Sequence, residues 1–226
     1  MPNNSALVIG CTGLVGRALV NVLLENTYYN SIKLVTRKPL NLSNDRIEEI
    51  IIEDFDQLGQ YSDRLQANDY FCCLGTTMKQ AGSKEKFKKV DLDYPLEMAR
   101  IAKKSELFRQ YLIVTSAGAN SNSPLFYNQV KGEVEEKLRE MKLPALMIFR
   151  PSLLLGDRDE FRLGETLAKG FSAFLSFFMV GLKRRLWSIK ASDVANSMFL
   201  IARDQRRGLK ILSSSDMTDR LKSLGF

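Results

Sequence analysis

Tyr127 and Lys131 stand four residues apart in Tyr127-Asn128-Gln129-Val130-Lys131, a spacing that puts both on one face of a helix, one turn from each other. An ammonium held near a phenol favours the phenolate and lowers a tyrosine pKa from its usual value of about 10. The pair therefore predicts an acid or base usable near neutral pH. Upstream, Ser116 closes the apolar run 111–115, where its hydroxyl would hold a substrate carbonyl oxygen. Thr115 and Ser121 are rivals for that place, and a capping or loop hydroxyl is the plainer role for any of the three. Tyrosine and lysine four apart also recur by chance in amphipathic helices, so their place in the chain has to carry the argument.

That place is set by a glycine turn at the other end of the sequence. Residues 6–9 (Ala-Leu-Val-Ile) form a continuous apolar run, the pattern of a strand buried on both faces, and Gly10, Gly13 and Gly16 follow. From Leu14 the apolar positions take helical spacing: Leu14, Ala18 and Val22 on one stripe, Val15, Leu19 and Leu23 beside them. Strand, tight turn and helix in this order make an anion site, because the helix start offers free N–H groups and a positive dipole end, and glycine lets a pyrophosphate approach the backbone. The spacing is G-x-x-G-x-x-G rather than the usual dinucleotide fingerprint G-x-G-x-x-G. A plain strand-to-helix connection is the alternative.

The strands that follow would bring their carboxyl ends to the same crevice. After a second strand over 32–36 an NAD enzyme would carry an acidic residue for the ribose 2'-hydroxyl, whereas this chain has Arg37 and Lys38. A guanidinium suits a 2'-phosphate, so the expected cofactor is NADP (NADPH), with exposed loop charges as the alternative. A third strand over 50–53 would bring Asp54 and Phe55 to the adenine, and a fourth over 70–74 ends in Gly75-Thr76-Thr77. Further strands are predicted over 111–115, 146–150 and 210–212, and helices over 91–104, 193–202 and 215–224.

Four segments together resemble the atypical short-chain dehydrogenases/reductases of the HIV Tat-interacting-protein type. They are the glycine turn, Cys72-Cys73-Leu74-Gly75-Thr76-Thr77, the run Tyr127 to Glu135 (YNQVKGEVE), and the run Phe149 to Arg158 (FRPSLLLGDR). The resemblance implies an NADP-binding Rossmann fold and an oxidoreductase. It implies cofactor contacts at Thr12, Gly13, Leu14, Val15, Arg37, Lys38, Leu74 and Gly75, with Tyr127 and Lys131 as the active-site pair and Leu154 and Arg162 toward the nicotinamide. Asp91 departs from the pattern, standing where many extended members of the superfamily carry an asparagine that orders a proton path. Eukaryotic relatives of this type are known more as regulatory, partner-binding proteins than as enzymes with an agreed substrate.

The expected architecture is α/β: a doubly wound parallel sheet in one domain over 1–226, with a small substrate-side helical region over 157–190. There the phenylalanines Phe171, Phe174, Phe177 and Phe178 fall on one helical stripe that would line an apolar substrate pocket, pack in the core, meet a second copy or touch a membrane surface. The expected function is oxidation or reduction of a carbonyl/alcohol pair on a small substrate, with Tyr127 as proton donor or acceptor. Its alternative is a non-catalytic NADP-binding regulatory or protein-interaction module, and a protein partner or homodimer fits either.

Composition narrows the field. The chain has no histidine, which excludes serine-histidine-aspartate and cysteine-histidine catalysis and any familiar zinc spacing. A net charge of +7 favours acidic partners, but the basic residues are scattered and accompany no nucleic-acid-binding signature, so no nucleic acid is expected. The longest apolar stretch, over 171–182, is too short to span a bilayer, and no signal peptide is visible at the N-terminus. A cytoplasmic location is the corresponding expectation.

Overall fold

The computed structural model describes residues 4–155 and 188–225. Strands β1 (Ser5–Ile9), β2 (Ser31–Thr36), β3 (Ile47–Ile51), β4 (Asp69–Cys72), β5 (Gln110–Val114), β6 (Ala145–Arg150) and β9 (Gly208–Ser213) form one parallel sheet in the order β3-β2-β1-β4-β5-β6-β9. The order reverses between β1 and β4, the switch point at which a doubly wound sheet opens its ligand crevice. Two short strands, β7 (Leu153–Leu155) and β8 (Ser188–Lys190), pair in parallel beside it. Residues 188–190 are therefore strand, not part of a helical region. The rest of that expected region, with Arg162 and the phenylalanine stripe, lies outside the described residues.

The apolar runs in the strands are continuous because both faces are covered. Ala6 and Val8 of β1 pack with helix α1 (Leu14–Glu25) and with α6 (Ala191–Arg203) and α7 (Ser214–Ser223) on one face. Leu7 and Ile9 face the opposite way, toward α3 (Lys84–Lys88), α4 (Tyr94–Lys104) and α5 (Phe126–Glu140), together with the 3-10 turn Phe55–Tyr61. A further short helix, α2 (Met78–Ala81), follows β4. Fully buried side chains such as Leu19 and Leu23 on α1 each contribute roughly 1.5–3 kcal/mol by leaving water. Among the described residues no helix is long and apolar enough to cross a membrane.

Two elements differ from their sequence expectation. The third strand lies three residues earlier than 50–53, with Ile51 opposite Thr36. Its charged Glu48 and Glu49 hid it, yet β3 is an edge strand, and Glu49 accepts hydrogen bonds from the Leu40 and Leu42 amides at 2.8 and 3.0 Å. The helix expected from 91 begins as a wide π-turn, Lys89–Asp93, before α4. Such an insertion re-aims a side chain relative to a regular helix.

A polar lock closes the amino ends of the strands. The buried Asp69 carboxylate accepts from the Tyr29 hydroxyl (2.6 Å), the Arg109 guanidinium (Nε at 2.7 Å) and the Gln110 amide (3.1 Å), and Gln110 also donates to the Ala202 carbonyl (2.8 Å). Removing one partner from such a buried charge typically costs about 3–5 kcal/mol.

Two predictions follow from this packing. Burial, reinforced by Asp69 beside Tyr29 and Cys72 beside Tyr111, pushes both buried tyrosines well above the ordinary range. Their folded values exceed the unfolded value of about 10, so their contribution is complete below that pH and lost above it. Unfolding free energy measured from neutral pH upward should begin to fall at about pH 8.5, where the unfolded chain's thiols ionise while buried Cys11, Cys72 and Cys73 stay protonated, and above about pH 10 each such tyrosine should add ~1.4 kcal/mol per unit to the decline. Tyr29→Phe should make the decline shallower, and a slope unchanged by that substitution would contradict the assignment. Separately, a Cβ at Gly132 in α5 would stand 2.0 Å from the Ser121 nitrogen and 2.2 Å from the Asn120 carbonyl carbon. Glycine to alanine inside a helix ordinarily gains roughly 0.5–1 kcal/mol. Gly132→Ala should instead cost about 1–3 kcal/mol in denaturant titrations and displace the 116–123 loop.

Candidate active site

The carboxyl ends of the strands stand level across the sheet, with Ile9 opposite Val35 and Cys72, Cys72 opposite Ile113, and Val114 opposite Phe149. This register brings the turn after β1, Arg37 after β2, residues 73–75 after β4 and residues 115–116 after β5 to one rim. Gly10 has φ +82°, and a Cβ there would lie 2.5 Å from the Cys73 carbonyl carbon. A Cβ on Gly16 would lie 2.1 Å from the Gly10 oxygen. Both glycines are thus demanded by the chain's own packing. Gly13 is not: a Cβ there would meet nothing nearer than the Gly10 oxygen at 3.4 Å, and the residue is exposed.

Gly13 also caps α1 without a side-chain hydrogen bond, and the first turn of α1 holds no acidic residue. The first-turn amides therefore face the crevice with their positive dipole end open to an anion. Thr12 is exposed beside them. Leu14 is partly buried and Val15 buried, so these two offer a ligand their backbone groups rather than their side chains. These residues fit a dinucleotide pyrophosphate.

Around that turn, the remaining expected cofactor residues are distributed as follows. Arg37 and Lys38 are exposed and have no ion-pair partner among the described residues. Their turn is held by the Thr36 hydroxyl, which donates to the Lys38 carbonyl at 2.9 Å. Asp54 is exposed, but one of its oxygens caps the 3-10 turn by accepting from the Asp56 amide at 2.9 Å. Leu74 and Gly75 leave β4 beside the glycine turn. Leu154 lies on β7, half-buried against the core. Cys11 in the turn is buried, and burial, opposed by its own backbone amide, raises its thiol to about 11, so it is inert at neutral pH.

The chemistry-bearing residues meet on the α5 side of the rim. Tyr127 sits in the first turn of α5 with its ring edge-on to Phe87, centroids 6.0 Å apart. Lys131 follows one turn later and is buried. The Lys131 ammonium is paired with Asp91, Nζ to Oδ1 2.6 Å, a partner additional to Tyr127. The second oxygen of Asp91 accepts the Thr76 amide at 2.9 Å. Burial alone would push the Lys131 ammonium down, but the Asp91 charge, with Tyr127 adding to it, outweighs burial and leaves it raised above the ordinary lysine range.

The three candidate hydroxyls separate clearly. Thr115 donates to the buried Glu135 carboxylate at 2.7 Å, and Ser121 bonds Glu136. Ser116 Oγ is buried and has no hydrogen-bond partner among the described residues. Its loop is fixed from two sides, by the Ala117 amide on the Pro151 carbonyl (2.9 Å) and the Asn120 amide on the Asn128 carbonyl (3.0 Å), next to Tyr127.

Sequence reasoning missed what anchors α5. Glu135 is 1% exposed and takes a forked bond from Arg150, with Nε at 3.0 Å and Nη2 at 2.5 Å, in addition to Thr115. The signal was present: Lys131 and Glu135 are four apart among Val130, Val134 and Leu138, so the inward stripe carries two charges that need counter-ions. Gly132 was equally legible only in retrospect, since nothing in the sequence says that the 118–121 loop crosses the helix there.

Known proteins give this site a context. The description "NAD dependent epimerase/dehydratase family" matches residues 6–137. The chain is 38% identical over 174 residues to "Protein HTATIP2" of Rattus norvegicus, covering 76% of this chain and 71% of the rat protein. It is 32% identical over 223 residues to "Protein FMP52, mitochondrial" of Lodderomyces elongisporus, covering 92% and 89% of the two chains. The solved structure of MoeE5 in complex with UDP-glucose and NAD superposes with a TM-score of 0.68 at 15% identity, covering 98% of this chain and 82% of that one, which establishes a shared fold. Further fungal relatives are also named mitochondrial, and this overturns the cytoplasmic location expected from N-terminal composition alone. On the match over residues 6–137, more than half of its length, and its identity to HTATIP2, this chain belongs to the NAD dependent epimerase/dehydratase family.

Proposed function

We propose that the chain is an NADP-dependent oxidoreductase acting on a carbonyl/alcohol pair of a small substrate. One observation carries the reading: Ser116 Oγ is buried at the rim without a partner among the described residues, while the neighbouring Thr115 and Ser121 hydroxyls are already bonded. A buried hydroxyl left unpaired costs about 1–3 kcal/mol unless something occupies the space before it. A substrate oxygen fits that requirement.

In this reading the first turn of α1, with Gly10, Thr12, Gly13, Leu14, Val15 and Gly16, cradles the pyrophosphate, and Asp54, Leu74, Gly75 and Leu154 line the nucleotide. Arg37 and Lys38 take the 2'-phosphate through charge-assisted hydrogen bonds. The bound nucleotide supplies the electron pair exchanged with the substrate carbon. Ser116 donates a hydrogen bond to the substrate oxygen and fixes its orientation. In the reducing direction the Tyr127 O–H bond breaks as a new O–H bond forms on that oxygen, and the phenolate regains its proton from solvent. Lys131 holds a ribose hydroxyl and the Tyr127 oxygen. The rival reading is a non-catalytic NADP-binding regulatory or protein-interaction module.

Titration calorimetry with NADPH and NADH tests the cofactor: NADPH should bind about 10–100-fold more tightly, and Arg37→Ala should remove most of that margin. Equal affinities in the parent would discard the 2'-phosphate site. Against a panel of carbonyl substrates, Tyr127→Phe should lower turnover by about 10²–10⁴-fold while leaving NADPH affinity within a few-fold. Turnover that survives the substitution removes Tyr127 from the proton transfer, and a parent that binds NADPH but turns over no carbonyl in the panel points to the non-catalytic role instead.

A further inference from the structure

Asp91 and Lys131 form an ion pair at the floor of the rim. Asp91 is 1% and Lys131 5% exposed, their charged atoms are 2.6 Å apart, and the pair lies beside Gly75, where an added Cβ would stand 3.7 Å from Asp91 Oδ1 and 3.9 Å from Lys131 Nζ. The carboxylate is itself held, since its other oxygen accepts the Thr76 amide that follows β4. The π-turn Lys89–Asp93 supplies the extra residue that aims Asp91 inward, and wide turns of this kind are frequent at functional sites.

An asparagine in the same place would hold Lys131 by a hydrogen bond but would leave a buried ammonium without a counter-charge, a state that burial drives toward the neutral amine. A neutral amine donates weaker hydrogen bonds and exerts no field on the phenol one turn away. The other titratable groups facing Lys131 are Tyr127 on α5 and Cys72 on β4. Cys72 is a buried thiol whose titration is pushed up, first by burial, so it supplies no counter-charge at neutral pH.

We propose that Asp91 is a positioning residue of this site: it clamps the Lys131 ammonium beneath Gly75, keeping it charged and directed at the ribose and the Tyr127 oxygen. It acts through Lys131 and touches no reacting atom. The assignment rests on the proposed roles of Lys131 and Tyr127, but its first test needs neither nucleotide nor substrate.

In protein labelled at the lysine side-chain carbons, the Lys131 resonance is assigned by its loss in Lys131→Met and followed by NMR against pH. In the parent it should titrate above the free-lysine range of about 10.4. In Asp91→Asn its midpoint should fall below that range by about one unit or more, and Asp91→Glu should recover most of the difference. A Lys131 midpoint unmoved by Asp91→Asn overturns the proposal. Should Asp91→Asn fail to fold, the parent still decides, because a Lys131 midpoint at or below that of the exposed lysines also overturns it. NADPH titration calorimetry separates the two readings. If Lys131 responds as expected while no nucleotide binds, the clamp stands and the enzyme reading falls. With a substrate in hand, Asp91→Asn should lower kcat with little change in KM, with a pH profile that follows the Lys131 midpoint.

Discussion

Two opposite charges, Lys131 and Glu135, are buried one turn apart on the inner face of α5, and the arrangement of the site follows from how each is neutralised. Neither can be left alone, since an unpaired buried charge typically costs about 3–5 kcal/mol. Glu135 is paired with Arg150 at the end of β6 and bonded by Thr115 at the end of β5. Lys131 is paired with Asp91 on the turn before α4, itself tied to the chain leaving β4. Helix α5 is therefore pinned at two points to three different strand ends, and Tyr127 is carried to the rim as a consequence. Apolar packing through Val130, Val134 and Leu138 attaches the helix to the sheet, but packing alone would tolerate small slides that the paired charges do not.

The other wall of the crevice depends on backbone approach rather than charge. The turn after β1 passes so close to the chain leaving β4 that Gly10 has no room for a side chain, and α1 starts so close to the turn that Gly16 has none either. Gly13 is different in kind, because the protein itself leaves space there. That contrast sorts three glycines of one motif into two that build the turn and one that leaves its outer surface open. Opposite it, Ser116 presents a buried hydroxyl with no partner among the described residues. Two walls built by unrelated interactions thus bring an open helix start and an unpaired hydroxyl to the same rim.

The lock at the far end of the sheet shows the same economy of means in a purely structural setting. Asp69 gathers Tyr29, Arg109 and Gln110 where the strands begin, away from the crevice. Its partners come from α1's following loop, from the approach to β5 and from β5 itself, so it fixes strand ends that have no ladder partner beyond them. The central carboxylate of the lock is as buried as that of Asp91. What distinguishes the two is position relative to the carboxyl ends of the strands, where open α/β sheets bind ligands.

Much of this was legible in the residues. Continuous apolar runs separated by helical periodicity specify a parallel sheet covered on both faces, because only strands buried on both sides read that way. The glycine turn and the tyrosine-lysine spacing likewise announced themselves, since both are local patterns fixed by backbone geometry and helical repeat. The edge strand β3 was misplaced because its outward positions tolerate charge, and local pattern cannot distinguish such a strand from a loop. Which hydroxyl is free, which counter-ion Lys131 takes and why Gly132 has no side chain depend on residues that stand 11 to 40 positions apart in the chain. Only the folded sheet brings those residues within bonding distance, so only tertiary structure could decide among chemically equivalent candidates.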